Sequence, residues 1–240
     1  MEKPGKTSTT SATSTNSTTS ATSTAGPADP AAPKPARTRN RRGEGGRLRE
    51  DIVSAAAALL DETGDEHAIT LRSVARKVGI SAPSIYPHFP DQPAIMLAVV
   101  QREFAELETL LRSVAREAGD DPREQLYAVC RSYLAFAQRH PERYRTMFGG
   151  LWIPSLGDNS LTEEDLVSLG STAIQVLVDV LTDCAAAGQC AISDPSLDAI
   201  TLWLSLHGLA HQRAVIRAFP WSEERIADSI IARIACLKDA

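Results

Sequence analysis

From residue 47 onward, apolar side chains return three, four and seven positions apart, and no useful stretch alternates with the two-residue period of a strand. The spacing predicts nine helices. Ile52, Ala55, Ala56, Leu59 and Leu60 mark the first, which Gly64 ends. Leu71, Val74, Ala75 and Val78 mark a short second, capped by Thr70 and stopped at Gly79. Ser81 opens and caps a third, and Asp91 with Pro93 starts a fourth that runs to about Arg116. Pro122 starts a fifth through Leu126, Val129, Cys130, Tyr133 and Ala137, and Pro141 starts a short sixth that stops at Gly149 and Gly150. Thr162, followed by acids, caps a strongly apolar seventh, read as continuous from Leu166 to Leu181. Asp194 and Pro195 start an eighth, closed by Pro220. Ser222 caps a ninth with Ile226, Ile230, Ile234 and Leu237 on one face. The expected fold class is all-α.

The first 46 residues break this pattern. Between Thr7 and Thr24, 15 of 18 residues are Ser or Thr, and Ala and Pro dominate from there to Pro35. Residues 1–36 therefore have almost nothing apolar to bury and are expected to be disordered. From Arg37 to Arg49 there are six arginines and one glutamate. That run is either a flexible arm lying on phosphates or a solvated basic linker. The formal net charge of −5 is unevenly spread: residues 1–36 carry +1, residues 37–89 +2 and residues 90–240 −8. A basic front on an acidic body suits a protein that offers one end to nucleic acid. The expected organisation is a tail over 1–36, a basic arm over 37–46, an N-terminal domain over 47–110 and a helical C-terminal domain over 111–240.

No apolar run approaches the length that crosses a bilayer, and residues 1–10 lack the apolar segment of a secretory signal. Cys130, Cys184, Cys190 and Cys236 are scattered and form no CxxC pair, which points to reduced thiols in the cytoplasm. No GxSxG, GxGxxG or phosphate-binding glycine loop occurs, so an enzyme has no residue set to recommend it. His207 and His211 are four apart, but residue 208 is Gly and no third ligand is evident, so neither a metal nor any other cofactor is expected.

The informative segment runs from Thr70 to Phe89. Two short helices meet across Gly79-Ile80-Ser81, where Gly79 can take the positive φ that ends a helix abruptly. Val74, Val78, Ile80, Ile85 and Phe89 supply an inward face, while Ser81, Ala82, Ser84, Tyr86 and His88 point outward. These outward groups can enter a groove and donate hydrogen bonds. Arg72, Arg76 and Lys77 stand on the preceding helix, where phosphates would run. The same pattern also fits a plain helical hairpin buried in a bundle.

Residues 48–110 resemble the DNA-binding domain of the tetracycline-repressor (TetR) family. The likeness lies in Leu71-Arg-x-Val-Ala-Arg76, the Gly-Ile-Ser turn and the closing Ile85-Tyr86-x-His88-Phe89. It implies that Tyr86 and His88 anchor phosphates, that Thr70 and Arg72 clamp the neighbouring backbone, and that the start of the third helix, Ser81-Ala82-Pro83-Ser84, faces the bases. Arg47, at the head of the first helix, joins this DNA-binding set. Two positions depart from the family pattern. Pro87 replaces a residue that is often polar or basic, so contact there would be apolar. Gln92 replaces a frequent phosphate-binding Lys, which weakens one backbone contact.

Leu202-Trp203-Leu-Ser-Leu-His207-Gly208 is similar to the Trp-His-Gly signature of one class of TetR-type C-terminal domains. That likeness implies a ligand chamber after about residue 120 and a homodimer built from the last two helices. Read for themselves, six of the twelve aromatic residues fall between 127 and 152, and Trp203 and His207 share one face of the eighth helix. Tyr133, Phe136, Tyr144, Phe148, Trp152, Trp203 and His207 could line a site for an apolar or aromatic effector, or could serve as plain core. The expected function is a dimeric regulator on a double-stranded, pseudo-palindromic operator, released by a small molecule. A helical interaction protein with a vestigial helix-turn-helix is the alternative.

Overall fold

The computed structural model describes residues 45–149, 152, 156, 157, 159–216, 218 and 222–238. The chain divides into a unit of Met1–Thr38 and a unit of Arg39–Ala240, and all described residues belong to the second. The Ser/Thr-rich tail, the basic arm before residue 45, Gly150 and the stop at Pro220 lie outside them. Among the described residues the fold is all-helical, with nine α-helices and two short 3-10 turns (66–68 and 82–84). The helices are α1 (Gly45–Thr63), α2 (Leu71–Val78), α3 (Gln92–Glu117), α4 (Pro122–Arg139), α5 (Pro141–Phe148), α6 (Glu163–Val167), α7 (Ser171–Ala186), α8 (Pro195–Val215) and α9 (Glu223–Ile234).

Nine helices were expected, but two are distributed differently. The expected third helix is only the 3-10 turn Ala82–Ser84, continued by i to i+3 bonds from Ile85 N–H to the Ala82 carbonyl and His88 N–H to the Ile85 carbonyl. Pro83 and Pro87 lack N–H groups, so the Pro87 to Pro83 rung of an α-helix cannot form. Ser81 does not cap this turn; its hydroxyl meets that of Ser84 at 2.8 Å. The expected seventh helix is two, α6 and α7, because Gly170 stands between them at φ +78°. α1 also begins two residues before the expected start at residue 47.

Two hydrophobic cores form. The first gathers Ile52, Ala56 and Leu60 of α1, Val74 and Ala75 of α2, Ile85 and Phe89, and Ile95 and Val99 of α3. The second is built by α3, α4, α7, α8 and α9. α3 serves both: its N-terminal half packs in the first core, while Phe104, Leu107 and Leu111 enter the second. Its 26 residues span roughly 39 Å at 1.5 Å per residue. The far end is fastened by Ala191 N–H to the Cys236 carbonyl and Lys238 N–H to the Gln189 carbonyl, both 3.0 Å. Cys130, Cys184 and Cys190 are buried free thiols, and Cys236 is an exposed one.

Candidate functional site

The first core holds one outward-facing turn. Thr70 and Ser73 form a reciprocal capping box: Ser73 N–H donates to the Thr70 hydroxyl at 3.0 Å, and Thr70 N–H donates to the Ser73 hydroxyl at 2.8 Å. Gly79 closes α2 at φ +81°, a left-handed conformation that costs an L side chain strain. Ile85 and Phe89 are fully buried, pinning residues 81–88 from beneath. Between these pins Ser81, Pro83, Tyr86 and Pro87 are exposed, and Ala82, Ser84 and His88 are half-buried. Tyr86 is 59% exposed, an unusual place for an aromatic ring with no partner to cover it. Arg47, Thr70 and Arg72 are exposed too. Arg49 lies over the Phe89 ring at 4.7 Å. Gln92 is already engaged: its side-chain amide donates to the Glu66 carbonyl at 3.0 Å, holding α3 to the turn before α2.

The second core contains a ring cluster and a cavity. Tyr144, Phe148, Trp203 and His207 pack with centroid separations of 5.0 Å (Tyr144 to Phe148, Phe148 to His207), 5.3 Å (Trp203 to His207) and 5.6 Å (Tyr144 to His207). A cavity of about 330 Å³ opens beside them. Three of the residues expected to bind ligand, Tyr133, Phe148 and Trp203, stand in its wall. Tyr144 and His207 stand behind the wall. The His207 Nδ1 atom is 2.7 Å from the Tyr144 hydroxyl and 3.1 Å from that of Tyr133. Phe136 turns elsewhere, against His140 at 5.5 Å and under the Arg143 guanidinium. Trp152 packs against both cores without lining the cavity. Burial pushes the Tyr133 and Tyr144 hydroxyls above the usual phenol range. Burial, with His211 one turn on, lowers His207, so the imidazole is kept neutral.

The pattern of aromatic residues did not reveal the rest of this wall. Phe104, Leu107 and Leu111 of α3, Leu177 of α7 and Ile200 of α8 complete it, as does the corner at Leu169 and Gly170. Gly170 carried the available signal, a glycine inside an apolar run. A β-carbon there would come within 2.7 Å of the Phe104 ring, so the corner needs both the positive φ and the missing side chain. The segment after α5 also returns to the first core. Ser160 donates from its N–H to Asp91 Oδ2 at 2.8 Å and from its hydroxyl to Oδ1 at 2.9 Å. The same carboxylate caps α3 through Ala94 N–H at 2.9 Å.

This arrangement can be compared with known proteins. The family model described as bacterial regulatory proteins, tetR family, matches residues 52–99, and that of the tetracyclin repressor-like C-terminal domain matches residues 126–235. The chain belongs to the TetR family. It is 33% identical over 103 residues to the nucleoid occlusion factor SlmA of Vibrio campbellii, covering 42% of this chain and 51% of that protein. It therefore spans about half the length of the curated relatives it matches first. To the HTH-type transcriptional activator FasR of Mycolicibacterium smegmatis it is 26% identical over 162 residues, 62% of this chain and 69% of the relative. The fold resembles that of a Rhodococcus sp. RHA1 protein of unknown function, with a TM-score of 0.65 and 24% identity over 81% of this chain and 97% of the other. The TetR N-terminal match covers the first core and its exposed turn, and the C-terminal match covers the ring cluster and the cavity wall other than Phe104, Leu107 and Leu111 of α3.

Proposed function

We propose that this TetR-family chain is a DNA-binding transcription regulator that acts as a homodimer and answers to a small apolar or aromatic effector. The observation that carries the reading is the exposed turn 81–88, pinned by Ile85 and Phe89 onto a core that shares α3 with a cavity. Tyr86 and His88 hold phosphates, Arg47, Thr70 and Arg72 flank them, and Ser81 to Ser84 with Pro87 meet base edges. Tyr133, Phe148 and Trp203 contact the effector, with Tyr144 and His207 behind them. α8 presents Leu197, Ile200, Leu204 and Val215 to solvent, an apolar stripe for a second copy. Exposed Arg225, Ser229 and Arg233 make the open face of α9 more polar, so α8 carries most of that contact. A dimer places two turns on a pseudo-palindromic site. The effector releases DNA only if it binds the wrongly spaced conformer better. Repression is the default sign for the family, although FasR is named an activator. Among the described residues no helix is long and apolar enough to cross a membrane, which accords with a cytoplasmic site of action.

A second reading, a helical interaction protein with a vestigial helix-turn-helix, draws on Pro83 and Pro87, which shorten the reading element to a 3-10 turn. Selection of duplexes from a random pool, followed by gel shift, separates the two. A two-fold-symmetric site should emerge. Tyr86→Ala should then weaken binding roughly tenfold across all operator variants, the effect of one phosphate anchor. A pool without enrichment would favour the interaction protein.

A further inference from the structure

The cavity wall is chemically one-sided. Phe104, Leu107, Leu111, Leu177 and Leu206 are typical of it, and no charged side chain contributes among the described residues. The nearby ions are already committed. Glu103, buried on α3, is paired with Arg143, and Arg112 with Glu108 and Asp179. A carboxylate, phosphate or ammonium entering this space would shed its water and find no counter-ion.

The polar end of the cavity has a surplus of donors. His207 Nδ1 offers either one lone pair or one N–H, yet two phenol hydroxyls lie against it. As an acceptor it serves the nearer, Tyr144. The Tyr133 hydrogen is then left with the Tyr144 oxygen at 3.5 Å, the outer limit of a hydrogen bond. As a donor it serves neither hydrogen, and both phenols compete for that same long contact. In either tautomer a buried donor is poorly matched, and of the two tyrosines only Tyr133 stands in the wall. An oxygen acceptor placed there would satisfy it. Val167 forms an exposed apolar rim beside which a hydrocarbon could enter.

We infer that the chamber takes an uncharged, mostly hydrocarbon molecule whose single polar group is an acceptor oxygen (ketone, ester, lactone or alcohol) held by the Tyr133 hydroxyl. Its size follows from the volume: about 330 Å³ is the room of roughly eleven waters at about 30 Å³ each, so about a dozen non-hydrogen atoms fit. The inference rests on the effector-chamber reading and gives that reading a chemical class.

The test uses the full chain and the neutral fluorophore 1-aminonaphthalene, whose size of about a dozen non-hydrogen atoms suits the volume, displaced by three molecules of matched size. These are 2-undecanone, decanoate and decylammonium, at about pH 8, where the last two are ionised. The ketone should displace the fluorophore at a concentration at least about tenfold below that of either ion. Tyr133→Phe should weaken the ketone by roughly three- to tenfold, the worth of one neutral hydrogen bond, and weaken the fluorophore by less. Decanoate or decylammonium competing as well as the ketone overturns the uncharged class, and a ketone indifferent to Tyr133→Phe overturns the anchor. The chamber reading fails separately. It falls if the fluorophore does not bind, or if its binding survives both Ile174→Trp in the wall and Ser171→Trp at the exposed rim.

Discussion

The two cores use the same helix, α3, to opposite ends. The first is the smaller and the richer in alanine, with Ala55, Ala56, Ala57, Ala75 and Ala98 all buried among branched side chains. Its chemistry lies entirely outside, on a turn held from beneath. The second carries rings and long aliphatic chains, leaves room for about a dozen further atoms, and has a tyrosine with a poorly matched hydroxyl in the wall of that room. Close packing suits a surface that must hold a fixed shape against a rigid partner. Incomplete packing suits a site that is finished by what enters it.

If that contrast is sound, truncation should hurt more where packing is complete. Phe89→Ala empties a fully buried site and should cost about 3–5 kcal/mol, enough to unfold the first core in denaturant titrations. Leu177→Ala only enlarges a cavity whose wall already lacks partners on one side, so its loss should sit near the low end of the Leu→Ala range, about 2–3 kcal/mol. Equal losses would erase the distinction. Enlargement makes the sharper comparison, because the sign should reverse. Ala75→Leu overpacks the crossing of α2 and should cost about 1–3 kcal/mol. Ala173→Leu points extra methylenes into the cavity and should be neutral or stabilising by up to about 1 kcal/mol.

How much of each core could be read from sequence follows from the same contrast. α2, its Thr70 cap and its Gly79 stop were legible because each depends on neighbours within four residues, as do the proline starts of α3, α4, α5 and α8. The position of the turn 81–88 is legible, but its apolar spacing predicts a helix, which only the missing N–H groups of Pro83 and Pro87 oppose. Of the chamber, the aromatic side could be seen in a local cluster, with Phe136 and Trp152 swept in although they lie off the wall. Phe104, Leu107 and Leu111 could not be seen, because on α3 they follow the same period as residues of the first core. The bend at Gly170 was hidden inside an apolar run.

A smaller effect distinguishes the cores by pH. His207 in the second core is neutral because burial lowers its proton affinity below that of the unfolded chain. The unfolded state therefore binds more protons once the pH falls below about 6.5, and the stability contributed by neutral His207 is complete above that value and lost beneath it. Denaturant midpoints measured at about pH 7.5 and about pH 5.5 should differ more in the parent than in His207→Gln. Identical pH responses would mean that the imidazole is not held neutral by its surroundings.

The smallest effect concerns what joins the two cores. α3 runs through both, but a continuous helix transmits little unless something else defines how its start sits relative to the second core. The Ser160–Asp91 contact supplies such a reference, since one carboxylate both caps α3 and takes two hydrogen bonds from the segment that leads to the cavity's α6 rim. Asp91→Ala removes cap and clamp together and should cost about 1–2 kcal/mol, whereas Ser160→Ala removes one hydroxyl bond and should cost about 0.5–1 kcal/mol. If the bond is real, the double variant should cost less than the two losses added, by about 0.5 kcal/mol or more, because Ser160 has nothing left to lose once Asp91 is gone. Strict additivity would leave α3 as the connection between the cores that this clamp was thought to reinforce. A measurable coupling would make Ser160→Ala the variant in which DNA affinity and cavity binding both persist while their influence on one another declines.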